Sequence, residues 1–329
     1  MKKRISIILV CALAALMVAA CAAEPTVEAN PTTAPAAEAT PAPAAEATPA
    51  PAAEPTPAPE APPVEETNPS DESDFDFSRP IAVFTREDGS GTRDAFVDAT
   101  GVGDDMSVEA GVLTSTGAIR TAVAENELAI SYVSVGSLND EVRAIAIDGV
   151  YPSHDTVRDG SYALSRRFLL AFTEDSLSNP LLQDFLDFVL SAEGQDLLAG
   201  SWTPAVASPA PFESSDLSGS LTISGSTSVA PAMDLLAEAY MDLNPNVNID
   251  VMSTGTGTGL EQAATGVADI GMASRELREG ERENLEYVAM LLDGVAVIVN
   301  VANPLLGLTM DQVREIFVEG TLRWSDVVS

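Results

Sequence analysis

The chain has 329 residues, with 50 acidic side chains against 16 Lys and Arg and a net charge of −34. So acidic a surface excludes nucleic acid as a general partner and gives small anions no nonspecific attraction, so any anion site must be local and enclosed. Lysine occurs only at Lys2 and Lys3, so the cationic side chains past Arg4 are arginine, with His154 the one histidine.

Residues 1–21, "MKKRISIILVCALAALMVAAC", have a basic start, an apolar run and a small-residue end. That is the pattern of a secretory signal, and the run is short for a spanning helix. "VAAC" resembles a bacterial lipobox, which implies cleavage before Cys21 and lipidation of its thiol; an ordinary signal with an incidental cysteine is the alternative. Cys11 lies inside the apolar run, so the mature chain has no cysteine pair for a disulfide. Residues 22–76 repeat Ala, Pro, Glu and Thr with almost no large apolar side chains. Such a stretch cannot bury enough surface to offset chain entropy and reads as an extended tether, at ~3 Å per residue where proline dominates.

The remaining 77–329 are enough for one large or two small lobes. "IAVFTREDGSGTRDAF" predicts a strand at 81–85, a turn through Gly89 and Gly91, and a helix from Arg93. "YPSHDTV" reads as a loop that leaves His154 exposed. "SNPLLQDFLDFVLSAEGQDLLAG" is helical, and "SPAPFESSDLSGS" connects it to the next strand. "ISGSTSVAPAMDLLAEAYMDLNP" turns through 225–228 into a helix with Pro231 in its first turn and Met233, Leu236, Ala237 and Tyr240 on one face. "VMSTGTGTGLEQAATGVADIGMAS" repeats the plan, with a helix from Leu260 and a strand at 268–272. In "TMDQVREIFVEG", Thr309 caps a helix whose Val313, Ile316 and Phe317 face the core. Trp202 and Trp324 read as packing residues.

Three glycine-rich turns therefore precede helices. The first N–H groups of a helix lack intrahelical partners and carry partial positive charge, so an anion placed there is stabilised. Glycine allows close backbone approach, and Ser or Thr adds a hydroxyl. One such turn is ordinary N-capping; three in this span, one with an arginine four residues before its serine, point to an anion site. Two rivals fail. Gly255, Gly257 and Gly259 lack GxGxxG spacing, and a phosphate loop of the ATPase kind needs a lysine the folded part does not have.

"GSTSVAP", "STGTGTGL…DIGMASREL", "REDGSGTRDAF" and "YPSHDTVRDGSYALSRRF" together resemble the phosphate-binding lipoproteins of ABC-type phosphate importers, over essentially all of 77–329. The resemblance implies an α/β, two-lobed type II periplasmic-binding-protein fold with two crossing strands. It also implies a non-enzymatic function without cofactor or metal: capture of inorganic phosphate in the interlobe cleft for a membrane permease, outside the cytoplasm, on a lipid anchor at Cys21. The order is unusual. In the family "GSTSVAP" opens the domain and "DGSGT" follows; here "DGSGT" comes first, so Phe77 and Ser329 look like two sides of a cut. A circular permutation fits, with lobe A at about 168–297, lobe B at about 77–165 plus 300–329, and crossings near 168–172 and 295–301. The rival is a truncated tandem, whose product could be a ligand-free sensor or interaction module.

Residue by residue, the resemblance carries ligand contacts onto Arg86, Ser90, Gly91 and Thr92, onto Thr227 and Ser228, and onto Thr256. Arginine suits a tetrahedral oxyanion through its two parallel charge-assisted bonds. Asp88 is expected to orient Arg86. Some family members place an aspartate at the end of the "DIGMAS" strand to accept the proton of hydrogen phosphate; here Ser274 stands there, which keeps sulfate, molybdate and tungstate open as alternatives. Arg275 is expected at the surface. "RRF" at 166–168 departs from the Arg-Pro usual in the family.

Overall fold

The computed structural model describes residues 75–327. The signal, Cys21 and the stretch 22–74 lie outside the described residues. In chain order the strands are β1 (Ala82–Arg86), β2 (Gly111–Leu113), β3 (Ala129–Ser134), β4 (Val142–Ala144), β5 (Ala146–Ile147), β6 (Ser165–Phe172), β7 (Thr203–Pro204), β8 (Gly219–Gly225), β9 (Val247–Met252), β10 (Ile270–Ala273), β11 (Glu286–Asn300) and β12 (Gly307–Leu308). The helices are α1 (Gly91–Thr100), α2 (Thr116–Ala124), α3 (His154–Arg158), α4 (Pro180–Leu190), α5 (Ala192–Leu198), α6 (Ala230–Leu243), α7 (Thr256–Ala264), α8 (Glu279–Arg282), α9 (Met310–Glu319) and α10 (Trp324–Val327).

The strands pair in the order β2-β1-β3-β11-β6-β10-β8-β9, with β4 and β7 also on β11 and a separate parallel pair of β5 and β12. Parallel pairs join β1 to β2 and β3, and β8 to β9 and β10. Parallel strands need crossover helices on the sheet faces, which is why this chain alternates the two element types. Two bodies of core result. One gathers Phe96, Ile119, Ile130, Tyr132, Val297, Phe317 and Trp324. The other gathers Phe168, Phe185, Phe188, Leu221, Met233, Leu236 and Tyr240, with a satellite around Leu169 and Leu260 on the opposite sheet face. The architecture is α/β and two-lobed.

β11 passes through both lobes. Glu286 to Gly294 run antiparallel to β6, with a register shift between Ala289 and Leu291. From Val295 the strand pairs with β3, and from Ile298 also with β4. Val295, Ala296 and Val297 therefore pack in the lobe B core, and the expected edge of lobe A at 297 moves back to about Gly294. The reason is pairing: Val295 already stands opposite Ser134.

Local signals account for most helix ends. Thr309 accepts from Gln312 N, and the Gln312 side chain accepts from Thr309 N at 2.8 Å. This reciprocal cap, with Gly320 in the left-handed region, closes both ends of α9; caps of this kind stabilise by about 1 kcal/mol. Two expectations change. α1 begins at Gly91 rather than Arg93, because the Ser90 side chain caps it. α7 begins at Thr256 rather than Leu260, so Gly257 and Gly259 lie inside its first turn. A β-carbon on Gly259 would collide with the Gly225 backbone, so glycine there serves close helix–strand approach rather than a turn.

His154 is half-buried at the start of α3, with Nδ1 3.1 Å from Thr203 Oγ1, which corrects the exposed loop expected for it. The ends of the described chain meet. Ser325 N donates to Phe77 O at 2.7 Å, Trp324 N to Arg79 O at 3.3 Å, and Phe75 lies edge-on to Trp324. No helix among the described residues is long and apolar enough to cross a membrane.

Candidate anion-binding site

Four helix N-termini converge where the lobes face each other. From lobe B, β1 delivers Arg86, and the turn after it leads into α1 with Ser90 as cap. Tyr132 holds this segment from below. Its hydroxyl accepts from Arg86 N at 3.3 Å and shares a 2.6 Å bond with Thr85 Oγ1, and burial pushes its pKa up to about 12. It stays a neutral hydroxyl through the physiological range. From lobe A, β8 leads through Ser226, Thr227 and Ser228 into α6, and β9 leads through Gly255 into α7. β10 ends beside them, one residue before Ser274.

The hydroxyls meet across the cleft. Thr92 Oγ1 and Ser228 Oγ are 2.9 Å apart; within lobe A, Thr256 Oγ1 and Ser274 Oγ are 3.4 Å apart. Gly257 N donates to Gly89 O at 3.0 Å, so backbone also crosses. Arg86, 2% exposed, donates through Nη1 to Thr116 Oγ1 at 3.3 Å. A β-carbon on Gly91 would collide with Thr256 Oγ1 and lie 2.7 Å from Ser274 Oγ, so the lobes close only because that residue has none. Arg86, Ser90, Gly91 and Thr92 thus stand on one side and Thr227, Ser228, Thr256 and Ser274 on the other. Hydroxyls, helix N-termini and one guanidinium at hydrogen-bonding range suit a small tetrahedral oxyanion.

Three sequence expectations need changing. Asp88 does not orient Arg86: it is exposed and pairs with Arg93 at 2.9 Å. The carboxylate on Arg86 is Glu87, which accepts from Nε and Nη2 at 2.8 Å each. The sharp turn after β1 swings Asp88 outward and leaves its neighbour facing the guanidinium. Arg275 is buried, held by Asp94 and Glu281. The third change is an omission. Thr116 opens α2 behind its cap Ser115, and its Oγ1 lies 3.1 Å from Thr227 Oγ1 and 3.0 Å from Ser228 Oγ. Its signal was present as "TSTGAIR", a fourth hydroxyl-and-glycine turn before a helix, after a strand too short to attract notice.

Beneath the site, Arg166 on β6 and Asp293 on β11 form a buried pair at 2.8 Å. Burial lowers the pKa of Arg166, and Asp293 opposes that shift. Arg166 Nη1 donates to Ser274 O at 3.0 Å, and Asp293 Oδ1 accepts from Ser134 Oγ at 2.8 Å. One ion pair therefore ties both crossing strands to the site wall of lobe A and to β3 of lobe B.

The model of the PBP superfamily domain matches residues 70–193 and 210–329. Phosphate-binding protein PstS 2 of Streptococcus pneumoniae serotype 4 is 39% identical over 269 residues, covering 79% of this chain and 92% of that one. The crystal structure of a phosphate-binding protein of a phosphate ABC transporter from Streptococcus pneumoniae TIGR4 is similar with a TM-score of 0.63 at 38% identity, over 76% of this chain and all of that one. Phosphate-binding protein PstS of Pseudomonas aeruginosa is 34% identical over 140 residues, only 40% of this chain and 43% of its own length. With its two-lobed fold and its match over more than nine-tenths of the streptococcal protein's length, the chain belongs to the PBP superfamily and, within it, to the family of the phosphate-binding proteins.

Proposed function

We propose that this protein captures inorganic phosphate between its lobes and hands it to an ABC permease, without breaking a bond. The observation that carries the reading is the linked cluster of Arg86, Thr92, Thr116, Thr227 and Ser228, with Thr256 against Gly91 beside it, at four helix N-termini in two lobes. Such a cluster is complete only when the lobes are closed, so ligand binding and closure are one equilibrium. The protein works outside the cytoplasm, as its relatives' role in transport requires, and a lipid on Cys21 anchors it. The chain order is a circular permutation of that found in part of the family. In support, the ends at Phe77 and Ser325 are hydrogen-bonded, and the Pseudomonas relative aligns over under half of either chain while the streptococcal one aligns over 79% of this chain and 92% of its own. Lobe A then runs from about 168 to 294 and lobe B is assembled from both ends.

Calorimetric titration of phosphate-free protein with phosphate, then sulfate, beside Arg86→Ala, tests this. One-to-one phosphate binding abolished in the variant is expected. Sulfate binding of equal strength would shift the ligand, with Ser274 the residue responsible: its hydroxyl stands where a proton-accepting carboxylate would discriminate. No heat from either anion in a folded protein would overturn the reading.

A further inference from the structure

α1 carries two devices on its first turns. Ser90, Gly91 and Thr92 face the anion site, and Asp94 reaches the opposite lobe. Asp94 Oδ2 accepts from Arg275 Nε at 2.8 Å and from Arg278 Nη2 at 2.9 Å. Arg275 is 4% exposed and Asp94 11%, whereas Arg278 is 65% exposed. The first pair is therefore shielded from water and the second is not, and an exposed pair contributes little.

Arg275 is also gripped by its own lobe. Its Nη1 donates to Glu281 Oε2 at 2.7 Å and to Glu276 O at 2.9 Å, and its Nη2 donates to Glu281 Oε1 at 2.8 Å. Glu281 in turn accepts from Arg278 N at 2.7 Å. Burial opposes the charge on Arg275, but the bonds to Glu281 and Asp94 outweigh it and raise the pKa above its ordinary value. The guanidinium is thus preorganised within lobe A, with Nε aimed across the cleft.

From this geometry we infer that Asp94 and Arg275 form an ionic latch that holds the cleft shut and sets the rate at which the bound anion leaves. The inference rests on the anion-binding reading of the neighbouring site. A contact shifts a two-state equilibrium only by the difference it makes between the states. The Glu281 clamp lies within one lobe and persists on opening, so it contributes no difference. The Asp94 bond spans two lobes and exists only when they are together. Opening does not strand Arg275, because Glu281 still neutralises it, so the latch releases without leaving a bare buried charge. It also cancels the Asp94 carboxylate, which would otherwise repel an anion at the same helix terminus. Asp94 is accordingly a positioning residue for closure and does not touch the ligand.

The test compares the full chain with Asp94→Asn and Asp94→Glu in two measurements. The first is phosphate association and dissociation by stopped flow at low and high salt. The second is amide exchange of segments 89–96 and 274–281 without added phosphate. Asp94→Asn should release phosphate about tenfold faster, with association no slower and with the salt dependence of release reduced; Asp94→Glu should restore part of the slow release. Protection of both segments should fall in Asp94→Asn while the core strands keep theirs. If wild type binds no phosphate, the anion reading fails, and exchange alone judges the latch. Equal exchange in wild type and Asp94→Asn, or an unchanged release rate in a protein that binds, overturns it.

Discussion

At the scale of single residues, the site depends on what is absent as much as on what is present. Gly91→Ala adds one methyl group at the start of a helix, where alanine is otherwise the better helix former. The folded state of lobe B has no objection to it, but Thr256 and Ser274 stand in its way across the cleft. We expect at least a hundredfold weaker phosphate binding in titration calorimetry, with a melting temperature equal to or above wild type in the absence of anion. Thr116→Val keeps shape and removes the hydroxyl that Arg86, Thr227 and Ser228 share. A hydrogen bond to a charged group is worth about 1.5–3 kcal/mol, so binding should weaken by roughly ten- to a hundredfold while circular dichroism stays the same. Arg86, Ser90 and the Thr-Gly turns were legible because hydroxyls, glycines and a helix pattern stand together in the sequence. The exchange of Asp88 for Glu87 was not, since both carboxylates flank the turn and only its backbone path decides which one faces Arg86.

At the scale of elements, β6 and β11 carry the burden of joining two bodies. The stretches 168–172 and 295–300 read as buried strands and are; Val301 lies past the strand end and is exposed. The strands' shared ion pair is what the sequence hid: Arg166 and Asp293 are 127 residues apart, and nothing in "RRF" points to its partner. Asp293→Asn leaves Arg166 charged, deeply buried and without its carboxylate. Removing one partner of a buried pair costs about 3–5 kcal/mol. In a protein of this size that lowers the melting temperature by about 10 °C, which differential scanning calorimetry would read directly. Phosphate affinity should fall as well, because Arg166 also fixes the Ser274 carbonyl. An unchanged melting temperature would mean that the pair adds nothing to the hinge. The sequence placed the second crossing from 295 but not the lobe to which 295–297 belong: apolar β-branched residues look alike on either side of a lobe edge, and only pairing with β3 assigns them.

At the scale of the whole molecule, the order of the chain and the order of the fold are separate facts. If the cut is a permutation, joining residue 327 to residue 77 through a few flexible residues and opening the chain within 205–218 should give a folded protein with wild-type phosphate affinity. Calorimetry of that rearranged chain decides the matter: a misfolded or non-binding product would show that the present ends do more than mark a cut. The two-lobed plan was legible because each glycine-rich turn arrives with its own strand and helix. The cut placed the two ends near each other, but the bond between Ser325 and Phe77 could not be read.

The connecting stretch 205–218 has no regular structure, yet it is pinned: Phe212 N donates to Glu193 at 2.7 Å, and the Phe212 ring packs on Phe188 and Tyr240. The passages between lobes, by contrast, are paired strands that offer a protease no loop. A nick in 205–218 would sever the chain outside every strand and helix, each core then being drawn from both fragments. The two fragments would share β6 and β11 across their longest interface, stay together through gel filtration, and bind the anion as a two-chain protein.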